Sequence, residues 1–166
     1  MNWTGYFQQF GRSLMLPMIA LPAAAILLLL GHLPWESVGM SQLREILILA
    51  GNAIFTYLPY IFAVGVALGL TDNAASAGMA ALMSYFLFHM LIRYFTDTSM
   101  NIGVTGSIII GVLTAVSYHK FKNIKLPEYI QFFGGPRFVP LFMSFVTILL
   151  SYAFIEISPF IQGVLE

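Results

Sequence analysis

His89, Arg93 and Asp97 recur at four-residue intervals near the end of a long apolar run, so they share one face of a helix. Ionisable side chains at membrane depth mark candidates for handling ions or substrate. A structural reading stands beside this one. Arg93 can reach outward to the interface and pair with Asp97, which leaves His89 on a packing surface. Asn52 and Thr56, one turn apart in another apolar run, could hydrogen-bond the hydroxyls of a sugar, although bonding between helices is the commoner use of such groups. No catalytic set accompanies them. The chain has 0 cysteines, which removes thiolate metal sites and cysteine nucleophiles together. His32, His89 and His119 are too scattered for a metal site, and no phosphate loop, H-E-x-x-H or G-x-S-x-G sequence occurs. The expectation is therefore no catalytic residue, no metal and no cofactor.

The elements that would position these residues follow from composition. Of 166 residues, 59% are hydrophobic and 8% charged. Soluble domains carry about 25% charged residues, so this chain cannot cover itself with polar surface. It reads as an all-α, multi-pass integral membrane protein. A spanning helix needs about 20 mainly apolar residues. The runs that fit, or nearly fit, are Leu14 to Leu30, Ile46 to Leu70, Ala74 to Phe95, Ile102 to Tyr118 and Phe138 to Ile157. None shows strand-type alternation. Ahead of the first, Trp3, Phe7, Phe10 and Leu14 fall at helical spacing with Gln8, Gln9 and Arg12 between them, which predicts a short amphipathic interfacial helix.

Basic residues set the orientation. With the N-terminus cytoplasmic, Arg12, Lys120, Lys122, Lys125 and Arg137 lie inside, and only Arg44 and Arg93 lie outside. The zero formal net charge argues against a nucleic-acid partner. Small residues four apart, at Gly65 and Gly69, Ala77 and Ala81, and Ser107 and Gly111, predict close helix packing within the bundle or in a dimer. Some of those faces suggest partner helices outside this chain. Pro17 and Pro22 predict a bend in the first span, either a hinge or a static kink. Only Thr71, Asp72 and Asn73 separate the second and third spans, and Asp72 is expected to cap the third.

The longest polar interruption, at about 119–137, contains KLPEYIQFFGGPR. Lys125, Pro127, Glu128, Phe132, Phe133, Gly134, Gly135 and Arg137 are its distinctive residues. The aromatic pair predicts a segment that returns to the membrane surface or packs on the bundle. The double glycine permits a sharp re-entry that Pro136 stiffens.

With its flanks FQQFGRSLMLP, GNAIFTYLPYIFAVGVALGL and NIGVTGSIIIGVLTA, this loop resembles the enzyme IIC membrane domains of the bacterial phosphoenolpyruvate-dependent sugar phosphotransferase system, glucose and N-acetylglucosamine branch. Pro136 stands where such domains commonly carry Lys. The resemblance implies that residues 1–166 form the N-terminal, scaffold and dimer-forming half of an enzyme IIC domain. The second half, with its sugar-contacting histidine and Gly-Ile-Thr-Glu motif, and the enzyme IIB and IIA domains are expected to be absent. The implied setting is the bacterial plasma (inner) membrane. The implied partners are a hexose or N-acetylhexosamine, the second half of enzyme IIC, enzyme IIB, the lipid bilayer and a second copy in a homodimer. The implied role is a part of a permease that takes up glucose or N-acetylglucosamine and phosphorylates it. The full system is a sugar phosphotransferase, but this chain lacks a complete sugar or catalytic site. The loop is expected to gate the sugar exit or couple it to enzyme IIB. The alternative is a non-transporting membrane protein that associates with or regulates an intact enzyme IIC.

Overall fold

The computed structural model describes residues 3–35, 39–96, 103–125 and 127–165. The described residues are mainly helical, with no strand among them, as the apolar periodicity predicts. In chain order the helices are α1 (Trp3–Met18), α2 (Ala20–Gly31), α3 (Ser41–Thr56), α4 (Leu58–Leu70), α5 (Ala75–Phe95), α6 (Gly103–Phe121) and α7 (Phe138–Leu165). Four helices are long and apolar enough to cross a membrane, and α3 with α4 makes a fifth if that bent pair is one span.

Two details differ from the sequence reading. The amphipathic N-terminal stretch is not a separate helix: α1 runs from Trp3 through Met18 without a break, and Gln8–Gly31 qualifies as one 24-residue span. Pro22 has no N–H to give the Met18 carbonyl, which accounts for the brief interruption between α1 and α2. Ile19 there keeps helical dihedrals (φ −63°, ψ −24°), so the bend is mild. The sharp break comes instead in the second span, where α3 and α4 meet at 51°. Tyr57 leaves the helical region (φ −94°, ψ 7°), and Pro59 in the first turn of α4 cannot continue the ladder from α3.

The small-residue faces find their partners inside this chain. A methyl group on Gly65 would come within 2.6 Å of Pro17 Cδ, and one on Gly69 would collide with Ser13. The paired glycines of α4 thus seat on Ser13 and Pro17 of α1. Gly111 brings α6 onto α4, where an added methyl would lie 2.9 Å from the Ala63 carbonyl oxygen. Gly51 brings α3 onto α2, with Leu28 Cγ at 2.6 Å from such a methyl. Ala80 packs with Val139 and Met143 of α7. Ala63, Ala67, Ala81, Tyr85, Phe88, Ile92 and Ile110 form the main core between α4, α5 and α6. α2 and α3 pack mainly on each other, so they form an arm beyond the α4–α7 core.

Asp72 does not cap α5. The helix begins after Ala74, which has no side-chain cap bond. Asp72 and Asn73 instead hold left-handed dihedrals (φ 51° and 62°), and the Asn73 N–H returns 2.9 Å to the Leu68 carbonyl, closing the end of α4. Asp and Asn are among the few non-glycine residues that accept such a conformation.

Arg12, Lys120 and Lys122 collect at one end of the bundle. Ser13, next to Arg12, lies against Gly69 near the α4–α5 turn. His119 Nε2 donates 2.8 Å to the Leu70 carbonyl, bringing the end of α6 to the same place. Lys120 and Lys122 follow directly. Arg44 shares a hollow with His32, Leu33 and Pro34 where α2 turns into α3, at the other end.

Candidate functional site

The loop following α6 is built from short turns. Lys122 bonds back to Tyr118 and Ile124 to Phe121, which ends the helix. A 3₁₀ segment, Glu128–Phe133, begins after Pro127, with Glu128 placing its carboxylate in the first turn. Gly134 then donates 2.9 Å to Gln131, and Gly135 donates 3.1 Å to Ile124, closing the base of the loop across eleven residues. Gly135 has φ +66°, a conformation in which any side chain is strained. The sharp re-entry expected of the double glycine therefore occurs at Gly135, while Gly134 is extended (φ −67°, ψ 159°). A second 3₁₀ turn, Gly135–Arg137, leads into α7.

Lys125, Pro127, Glu128 and Arg137 are exposed. Phe132 is 72% exposed rather than packed on the bundle, and the Arg137 guanidinium lies 5.1 Å from its ring centroid. The side chain of Phe133 lies outside the described residues. Tyr129, 97% exposed, and Ile130 add to an apolar surface with a cation at its edge. Its chemistry suits docking rather than bond-making: it presents aromatic faces, one guanidinium and one carboxylate.

His89 lies in a second cluster, at the other end of the bundle. Its Nδ1 is 2.9 Å from the Tyr60 hydroxyl. Tyr60 meets Tyr85 edge to face at 4.8 Å, and Tyr85 lies parallel to the His89 ring at 6.3 Å. The Tyr85 hydroxyl donates 3.2 Å to the Gly103 carbonyl at the start of α6. These bonds tie α4, α5 and α6 together near the Tyr57 break, with His89 placed between helices. Asp97 lies outside the described residues, and the Arg93–Asp97 pairing lies outside them with it. The Tyr60 partner was missed because it sits 29 residues away on another helix. Spacing along one helix carries no signal for such a pair.

Asn52 and Thr56 are both exposed on α3, and the Thr56 hydroxyl donates 2.9 Å to the Asn52 carbonyl. They stand beside the Tyr57 break, away from the loop. The structure does not bring these two groups of residues into one site. Among the described residues no three His, Asp or Glu side chains gather in a way that could hold a metal ion.

Residues 11–166 match the family model described as "Phosphotransferase system, EIIC". The chain is 36% identical to the PTS system glucose-specific EIICBA component of Staphylococcus saprophyticus, an alignment covering 95% of this chain and 28% of that protein. It is also 36% identical to the PTS system N-acetylglucosamine-specific EIICB component of Bacillus subtilis, over 95% of this chain and 34% of that one. The chain thus spans about a third of the length of these curated relatives.

Proposed function

This chain belongs to the phosphotransferase system EIIC family, and on that premise we propose that it is the scaffold portion of a sugar permease. The carrying observation is that one match runs through α1 to α7, loop included, and leads to relatives named for glucose and for N-acetylglucosamine. The sugar is a hexose or N-acetylhexosamine of that kind. It enters with the help of a second EIIC half and is phosphorylated by a partner EIIB domain on the cytoplasmic side of the plasma membrane.

Two structural features support this division of labour. The small-residue faces seat on one another within the chain, which suits a self-contained scaffold. The loop and the basic residues share one end of the bundle, which suits a cytoplasmic N-terminus and a loop facing EIIB. In this reading Arg137, Phe132 and Glu128 form the contact surface, while Pro127, Gly134 and Gly135 hold its shape. Asn52 and Thr56 remain candidates for sugar contact beside the Tyr57 break.

The test is sugar uptake and phosphorylation in cells that lack other transporters of the system. Residues 1–166 are expressed alone and then with a matching second half. The proposal expects activity only from the pair. Activity from the fragment alone would show a complete sugar site in it and overturn the division. An inactive pair would favour the non-transporting, regulatory alternative.

A further inference from the structure

A groove runs beside the α1–α4 contact, apart from the loop and the histidine cluster. At the basic end it is lined by Gln9 and Arg12 of α1 and by Asp72 and Asn73 of the α4–α5 turn, with Met15 and Leu68 among its apolar walls. Leu68 and Asn73 also line a second hollow, which continues along α4 past Val64 to Tyr60 between Pro17 of α1 and Leu82 of α5. The two hollows share those two residues as walls. One end offers a guanidinium, a carboxylate and two amides, whereas the other is almost wholly hydrocarbon. Among the described residues, neither Arg12 nor Asp72 is drawn into an ion pair, and both are exposed.

The dimensions match one kind of ligand. From Leu68 back to Tyr60, α4 rises about 12 Å. One leaflet contributes half of a hydrocarbon core about 30 Å thick. We propose that the groove holds one phospholipid of the adjoining leaflet, whose headgroup carries both a phosphodiester and an ammonium. Arg12, whose planar fork suits phosphate oxygens, and Gln9 take the phosphodiester. Asp72 takes the ammonium, and one acyl chain lies along Val64 and Leu82 toward Tyr60. A purely anionic headgroup would also reach Arg12 but would leave Asp72 facing it without a counter-charge. A quaternary ammonium has no N–H to give the carboxylate. An apolar companion helix would strip water from Arg12 and Asp72 without pairing either.

The full chain, released from membranes in mild detergent, is titrated with dioleoyl phosphatidylethanolamine, phosphatidylglycerol or phosphatidylcholine and read by native mass spectrometry. The ethanolamine lipid is expected to bind once, about tenfold more tightly than the other two, the scale of one charge-assisted hydrogen bond. Arg12→Gln should weaken all three lipids. Asp72→Asn keeps a side chain that tolerates the left-handed turn and should erase the preference for ethanolamine over choline. Equal binding of all three lipids, a preference for phosphatidylglycerol, or a preference for ethanolamine over choline that survives Asp72→Asn would each overturn the proposal. A photoreactive residue at Leu82 in intact membranes should attach to lipid; attachment to a protein would assign the groove to a companion helix and overturn it as well.

Discussion

Gly65 of α4 rests directly on the Pro17 ring of α1, with 2.6 Å between the proline Cδ and the place a side chain would begin. The proline, which removes a hydrogen bond from α1, is thereby buried against the one residue type that leaves room for its ring. Gly65→Ala should force the two helices apart and cost about 1–3 kcal/mol, the usual range for overpacking. Unfolding in detergent mixtures measures it. Gly11→Ala, with nothing within 4 Å of the new methyl, is the matched control and should not destabilise, gaining up to about 1 kcal/mol from helix propensity alone.

The Tyr60–His89 bond is expected to contribute about 0.6 kcal/mol, the average for polar pairs between membrane helices. A double-mutant cycle of Tyr60→Phe and His89→Gln reads that coupling directly. Tyr94→Phe, at an 83% exposed position, should show none with His89. A Tyr60–His89 coupling indistinguishable from zero would mean that the hydroxyl and the imidazole do not act as a pair.

Gly135→Ala places a side chain at φ +66° and should strain the loop by about 1–2 kcal/mol. Arg137→Ala removes a cation–π contact worth about 0.5–1 kcal/mol at an exposed site. Both variants, and Pro127→Ala, should reach the membrane in normal amounts while sugar phosphorylation by the reconstituted transporter falls. Wild-type phosphorylation in all three would reduce the loop to an orientation signal.

Because the chain has no native cysteine, single cysteines report its sidedness without background. Asp72→Cys and Tyr129→Cys should react with impermeant thiol reagents only after the cells are opened. Tyr94→Cys should react in intact cells. The reverse pattern would invert the proposed orientation.

Much of this fold was legible because hydrophobic length is a strong signal. The apolar runs ending at Leu30, Phe95 and Ile157 correspond to spanning segments that end at Gly31, Phe95 and Ile157. The bend was misplaced for a physical reason. A proline marks a missing donor, but neighbouring packing decides whether the axis turns. Pro17 is held against Gly65 within α1, whereas Pro59 starts a new helix at 51° to the last. The glycine pairs declared close packing without naming the partner, since spacing describes one surface and not what meets it. Asp72 was misread for a similar reason: its residue type suits both a helix cap and a left-handed turn, and the short connection to α5 required the turn. In the loop, the glycine re-entry was readable from residue type, but the exposure of Phe132 depends on where Arg137 comes to rest.

The paired interruptions at Ile19 and Tyr57 also have a mechanical meaning. The α2–α3 arm joins the bundle through two strands of chain, and Pro22 and Pro59 each withhold a backbone hydrogen bond near the crossing. Resistance to flexing there falls on side-chain contact rather than on the peptide ladder. Torque applied at the far tip of the arm would be relieved at that waist first, leaving the core from α4 to α7 undistorted.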